Sequence, residues 1–408
     1  MNLREERGKQ IAEAGQIKKN GQTRWLVPSQ TSNARYFVDL ANVDVPVCSC
    51  PDYEERRMPC KHIYAVAYFV VQTNPDGSTT ITETVTVTKS KTYPQNWPAY
   101  NAAQTSEQDR FQELLRDLCS GIQEPLTQRR GRPSLPLRDA VFASAFKVYS
   151  CFSGRRFMSD LRESHRRGMI SRAPCYNSIF NYLEDEGLTP ILTELIRQSS
   201  LPLASVEVDF AVDSSGFGTS RYIRWYDHKY GKLMQKAQWI KAHVMCGVKT
   251  NIITAVEIDE VHSGDSPMLP KLVKATAQAF TISEVSADAA YGSKNNVAAI
   301  AAHNGTPFMA FKRNSTGKAS ALYEQMYHFF MYKREEYLQH YHKRSNVEST
   351  FSMMKRKFGD SLRSKTNTAL VNETLCKVLC HNLVVLIHEM HELGVTPIFW
   401  ADSELIGQ

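Results

Sequence analysis

The stretch that most constrains this chain is Tyr341-His-Lys-Arg344-Ser-Asn-Val-Glu348, continuing through Ser-Thr-Phe-Ser-Met-Met to Lys355. No Pro or Gly interrupts it, and it reads as one helix. At about 100° per residue, Tyr341, Arg344, Glu348 and Lys355 fall on a stripe roughly 60° wide. Val347, Phe351, Met354 and Phe358 fall mostly elsewhere and can pack the helix down. A lone carboxylate among cations suits a site that holds a metal ion and the phosphates around it. The same pattern also suits a solvated face with an Arg344–Glu348 pair at i,i+4.

The rest of the chain decides between these. Tyr, two residues, Arg, three, Glu, six, Lys resembles the signature around the last acidic residue of a large insertion-sequence group of DDE transposases. That resemblance requires two Asp upstream, each at the end of a strand. Asp213 follows Val206-Glu-Val-Asp-Phe-Ala-Val212 and meets Ser214-Ser-Gly-Phe, read as a turn at the strand's end. Asp288, in Ser286-Ala-Asp-Ala-Ala-Tyr-Gly292, follows a short strand and runs into a Gly turn. Both contexts are similar to the family's first two Asp. Asp209 competes with Asp213, because alternation puts both on one face; the position at the strand's end favours Asp213.

Further strands are expected at Trp239–Cys246, Ile252–Ile258 and Pro307–Lys312. Helices are expected at Pro267–Phe280 with Ser266 as N-cap, Lys294–His303 with Ser293 as N-cap, Ala319–Gln339 and Ala369–Leu393. By resemblance this order is that of an α/β, ribonuclease H-like domain, with ligands gathering at the carboxyl ends of its strands. Related transposases often carry a β-rich insertion before the final Glu; here only Asn314–Lys318 and a helix fill the interval.

The N-terminal part has a different chemistry. Thr23–Pro28 and Ala34–Leu40 are strand-like runs, as in a hairpin. Cys48-Ser-Cys50 is then followed by Cys60-Lys-His62, which opens an apolar helix, Ile63–Val71. Three thiolates and one imidazole form a closed tetrahedral set for a structural zinc. The order resembles the SWIM zinc finger, C-x-C-x(n)-C-x-H, which implies a DNA or protein contact. Nine cysteines, thinly spread, argue for a reducing compartment in which clustered cysteines serve a metal.

The net charge of +7 is mild but concentrated. From Arg129 to Arg172, eleven Lys/Arg stand against three Asp/Glu, the footprint of a polyanion partner. Arg129, Arg130 and Arg132 lie in a short basic loop of the kind that enters a minor groove, and equally in a basic linker. Leu137–Phe152, Gly154–Gly168 and Ala173–Leu183 are compatible with a helix-turn-helix presenting Arg172, Tyr176 and Asn177. An ordinary helical bundle with a basic face fits as well. No secretory signal and no membrane span is expected: the longest apolar run, Ile63–Val71, is too short.

The expected organisation is a zinc module at 1–75, a linker at 76–105 with an edge strand in Thr79–Lys89, and a basic helical DNA-binding segment at 106–200. A catalytic domain at 201–365 and a C-terminal helix and tail at 366–408 follow. The resemblance implies Asp213, Asp288 and Glu348 holding two Mg²⁺ (or Mn²⁺) ions. It also implies Arg344 and Lys355 on phosphates, Tyr341 against the DNA backbone, and a homodimer bridging two transposon ends. The expected activity is end cleavage and strand transfer into target DNA, in the cytoplasm at the nucleoid. An inactive element-derived DNA-binding protein, or a nuclease without strand transfer, are the alternatives. His228, Lys229 and His243 receive no functional role.

Overall fold

The computed structural model describes residues 3–14, 16–20, 23–30, 34–41, 46–56, 58–73, 79–81, 96–124, 134–219, 238–260, 264–311, 315 and 320–400. The chain divides into two compact units, Met1–Gln95 and Asn96–Gln408.

In the first unit α1 (Leu3–Glu13) precedes four short strands, β1 (Lys18–Lys19), β2 (Arg24–Pro28), β3 (Arg35–Asp39) and β4 (Val47–Cys48). They pair antiparallel in sequence order. Alternation buries Trp25 and Val27 on β2, and these meet Val38, Ile63 and Val66 in one small core. Helices α2 (Pro51–Arg56) and α3 (Lys61–Val70) follow. A Cβ on Gly8 would lie 2.6 Å from Tyr64 Cβ, so α1 approaches α3 closely only because that position is glycine. β5 (Val71–Thr73) pairs with β6 (Thr79–Ile81); the rest of the expected edge strand lies outside the described residues.

The second unit opens with helices: α4 (Trp97–Ser120), α5 (Leu137–Tyr149), α6 (Gly154–Arg166), α7 (Tyr176–Leu183) and α8 (Leu188–Ser200). The sequence places residues 97–105 in a linker, but they are helical. Asn96 caps α4 by accepting from Ala99 N, and Pro98 occupies the first turn, where its missing N–H costs nothing. Residues 167–175 connect α6 to α7, longer than the three- or four-residue turn of a helix-turn-helix. Arg172 therefore lies exposed on a connection, not at the start of a recognition helix. Arg129, Arg130 and Arg132 lie outside the described residues.

A five-stranded sheet follows, β7 (Asp209–Gly218), β8 (Trp239–Gly247), β9 (Ile253–Glu260), β10 (Glu284–Ala287) and β11 (Thr306–Met309). Its order is β11-β10-β7-β8-β9; β8 runs antiparallel to β7 and β9, while β10 and β11 run parallel to β7. Helices α9 (Leu269–Thr276) and α10 (Lys294–Ala301) cover one face with Phe210, Val212 and Met245. Ser293 caps α10 as expected, accepting from Asn296 N. Ser266 does not cap: it lies inside a 3-10 turn, Ser266–Met268, and receives Asn296 Nδ2. Helix α11 (Ala321–Tyr332) breaks at Lys333 before α12 (Arg334–Tyr341), where one helix was expected.

The opposite face, with Ala211 and Phe217, meets α13 (Ser345–Phe358) and α14 (Asn367–Glu392) in the main core, which α4–α8 complete. Helix α14 is long and apolar enough to cross a membrane, yet 94% of its apolar window is buried inside the unit. It is a core helix.

Candidate active site

The acidic cluster is built by register. β7 and β10 pair in parallel from Asp209↔Glu284 to Val212↔Ala287. Asp213 and Asp288 are the next residue on each, so the two stand side by side where the parallel ladder ends, strands about 4.8 Å apart. The expected turn after Asp213 is absent. β7 continues to Gly218 because β8 pairs with it along its whole length, and only the partnership with β10 stops. Asp288 does leave its strand. It caps a 3-10 turn, Ala289–Tyr291, accepting from Ala289 N at 2.5 Å.

The third member arrives on α13. Alternation turns Asp213 to the same face as Ala211, the face α13 covers through Val347, Phe351 and Met354. Arg344 joins the two. Its Nη1 donates to Asp213 Oδ2 at 3.3 Å and its Nη2 to Glu348 Oε1 at 2.6 Å. Burial drives the Asp213 carboxyl above its ordinary value. The Ser214 N–H and Arg344 pull it back, and the neighbouring Asp288 and Glu348 push it up again. Oxygen donors of this kind suit hard divalent cations, but the three carboxylates are not drawn to within 4.8 Å of one another as the Cys/His set of the first unit is; Arg344 stands between Asp213 and Glu348 instead.

Asp209 is engaged elsewhere. Lys343 Nζ lies 2.7 Å from Asp209 and 2.8 Å from Glu284, and His340 reaches Glu284 at 2.8 Å. This knot sits four residues, about 13 Å, back along β7 from Asp213.

The stripe is not one helix. A 3-10 turn, His342–Arg344, separates α12 from α13. Three residues at about 120° instead of about 100° rotate Tyr341 roughly 60° out of phase. Tyr341 packs half-buried against the cluster of Phe308, Met326 and Tyr337. Its ring centre lies 6.0 Å from the Arg344 guanidinium. Lys355 is committed too, donating to Ser215 Oγ at 2.7 Å and Gly216 O at 3.0 Å while its ammonium sits 5.0 Å from the Phe217 ring centre.

A polar group that sequence reasoning missed adjoins Asp213. Asp265 pairs with Lys241 and accepts from Ser214 Oγ at 3.2 Å. His243 lies fully buried behind it, 3.3 Å from the Tyr291 hydroxyl, and burial lowers its pKa to about 4. Nothing local marks Asp265, since an Asp before Ser-Pro reads as an ordinary cap. His228 and Lys229 lie outside the described residues.

In the first unit, Cys48 at the end of β4, Cys50 just after it, Cys60 before α3 and His62 in its first turn converge, all buried. Their ligand atoms lie within 4.8 Å of one another. His62 Nδ1 stands 3.9 Å from Cys48 Sγ and 3.8 Å from Cys60 Sγ, the spacing a shared tetrahedral ion gives. The Cys48 thiol, hydrogen-bonded to Cys60, pulls Cys60 down to about 4, while the same bond pushes Cys48 far up. A cation holding all three as thiolates removes that conflict, so the donors fit a structural zinc.

Residues 204–383 match the family described as transposase DDE domain. Residues 36–70 match the family described as SWIM zinc finger. No curated protein and no solved structure gives a match. All three acidic residues fall inside the first match and all four Cys/His ligands inside the second; the chain carries a transposase DDE domain preceded by a SWIM zinc finger.

Proposed function

We propose that this protein is a transposase that cleaves the ends of its element and joins them to target DNA. Asp213, Asp288 and Glu348 are the metal ligands in this reading. The observation that carries it is the register that sets Asp213 beside Asp288, with Glu348 tied to Asp213 through one guanidinium. The sheet order and the mixed strand directions support a ribonuclease H-like fold for residues 201–365.

Two Mg²⁺ ions held by these carboxylates would activate the attacking oxygen and stabilise the leaving one. The protein's own groups do the rest. Arg344 offsets the charge of Asp213 and Glu348, and its remaining donors suit a phosphate beside them. Lys355 pins the far half of β7 and so fixes the strand that carries Asp213. Asp265, neutralised by Lys241, orients the Ser214 hydroxyl next to it. The helical, basic segment at 106–200 would grip the DNA backbone, and a dimer would bring two ends together.

The test compares the wild-type protein with Asp288→Asn on a labelled duplex bearing the element's termini, with Mg²⁺ present. Joined products from the wild type alone support the proposal. Cleavage without joining makes the protein a nuclease, and a gel shift without cleavage makes it a DNA-binding protein only.

A further inference from the structure

A cavity of about 500 Å³ lies in the second unit, outside the acidic cluster. Its walls come from α5, the start of α6, α7, the end of α13, the loop after it, and α14. Lys147 on α5 lines it and is only 7% exposed, yet has no hydrogen-bond or ion-pair partner among the described residues. Its ammonium is not sealed from water, but burial of the side chain disfavours the charged form, and an anion in the cavity would offset that. Glu373, the acid on the opposite wall, accepts from the Arg363 and Ser364 backbone N–H groups and makes no ion pair with Lys147, which it favours only at a distance. Burial first, then Arg363, lowers the Lys147 pKa.

Three further features aim positive charge into the same space. Lys377 is 1% exposed and spends two of its three donors on Gly359 O and Ser361 O. Ser153, the N-cap of the 13-residue α6, makes no side-chain cap bond, and it and Gly154 line the cavity, so the start of that helix borders it. Arg363 and Lys365 stand at the rim. One other acid, Glu184, lines the wall. Beside the cations lies an apolar wall on which Phe180 is 41% exposed.

A cationic floor with a half-open aromatic ring is the chemistry of a phosphate joined to a flat base. The rim is also tied to the strand that carries Asp213. Leu362 N donates to Gly218 O at 2.8 Å, five residues and about 17 Å along β7 from Asp213. That span is on the order of five base steps of duplex.

We propose that this cavity is a nucleotide site: Lys147, Lys377 and the start of α6 take a phosphate, and a base packs on Phe180. A DNA strand engaged at the acidic cluster supplies the nucleotide; only this last step rests on the transposase reading.

The test uses the full-length protein without divalent cation, so that catalysis plays no part. The probes are thymidine 5′-monophosphate and a fluorescent duplex with a short single-stranded tail. Lys147→Met should hold or raise Tm, because it removes an unpaired charge that burial disfavours, and should weaken the tailed duplex roughly ten- to hundredfold. Phe180→Ala should weaken the tailed duplex while leaving a blunt duplex unchanged. Competition by thymidine monophosphate marks a site open to free nucleotides; loss of the tailed duplex alone marks one filled by a strand. Equal affinity of wild type and Lys147→Met for both probes overturns the proposal. Should that variant misfold, unchanged affinities in Phe180→Ala overturn it instead. Lys147-dependent binding with no Mg²⁺-dependent cleavage would keep the cavity and remove the transposase reading; cleavage with Lys147-independent binding would do the reverse.

Discussion

Asp213 sits in a conflict that its neighbours only partly resolve. Burial raises its pKa, and Asp288 and Glu348 add to that rise. A carboxyl whose folded pKa is raised contributes stability below its ordinary value of 3.8 and loses it as pH climbs through the folded value. Asp213→Asn should therefore raise Tm by a few degrees at pH 7, and the gain should disappear in acid; calorimetry at the two pH values checks it. Activity should move the other way. Asp288→Asn, whose side chain is exposed, should fold normally and lose several kcal/mol of transition-state stabilisation, on the order of 10³-fold in cleavage rate. The sequence favours Asp213 over Asp209 by its place at a strand's end, and the structure has no strand end there, since β7 runs on to Gly218. No turn follows Asp213. What separates the two is Lys343, which already holds Asp209 to Glu284, and a lysine 134 positions later leaves no local signal at Asp209.

At the level of elements, periodicity placed the strands and most helices within a few residues, because each buries one face. It failed where tertiary contacts set the backbone. The 3-10 turn at His342–Arg344 lets Lys343 reach down to the sheet while Arg344 turns to Asp213. A helical wheel cannot foresee that bend. α13 then stops at Gly359, whose φ of 82° and ψ of 149° only glycine adopts without strain. Its carbonyl accepts from Lys377, at the edge of the proposed nucleotide cavity. Gly359→Ala meets no steric contact, since nothing lies within 4 Å of an added Cβ, so its cost is backbone strain alone. It should destabilise by roughly 1–3 kcal/mol, seen as a lower denaturation midpoint with an unchanged slope. A loss under a few tenths of a kcal/mol would mean that the loop relaxes to another conformation.

On the scale of the whole chain, the two units hold themselves together by different means. The second buries a large core around α14. The first has a core of thirteen residues, and domains this small seldom reach stability by burial alone. Three of those thirteen are Cys48, Cys50 and Cys60, which with buried His62 form the ligand set, so ten apolar residues are left among the described ones. Zinc binding, on the order of 10 kcal/mol apparent, would then be most of the folding free energy of that unit. Stripping zinc with a strong chelator should melt the first unit and leave the thermal transition of the second in place, so that a scan shows one transition instead of two. Cys60→Ala should do the same without chelator. Limited proteolysis should then cut within the first unit and spare residues 96–400. The proposed Mg²⁺-dependent cleavage would distinguish structural from catalytic loss, because a protein missing only the zinc unit keeps its acidic cluster. If Cys60→Ala retains stoichiometric zinc and the wild-type proteolytic pattern, the four residues are not the ligands, and the small core stands on its packing.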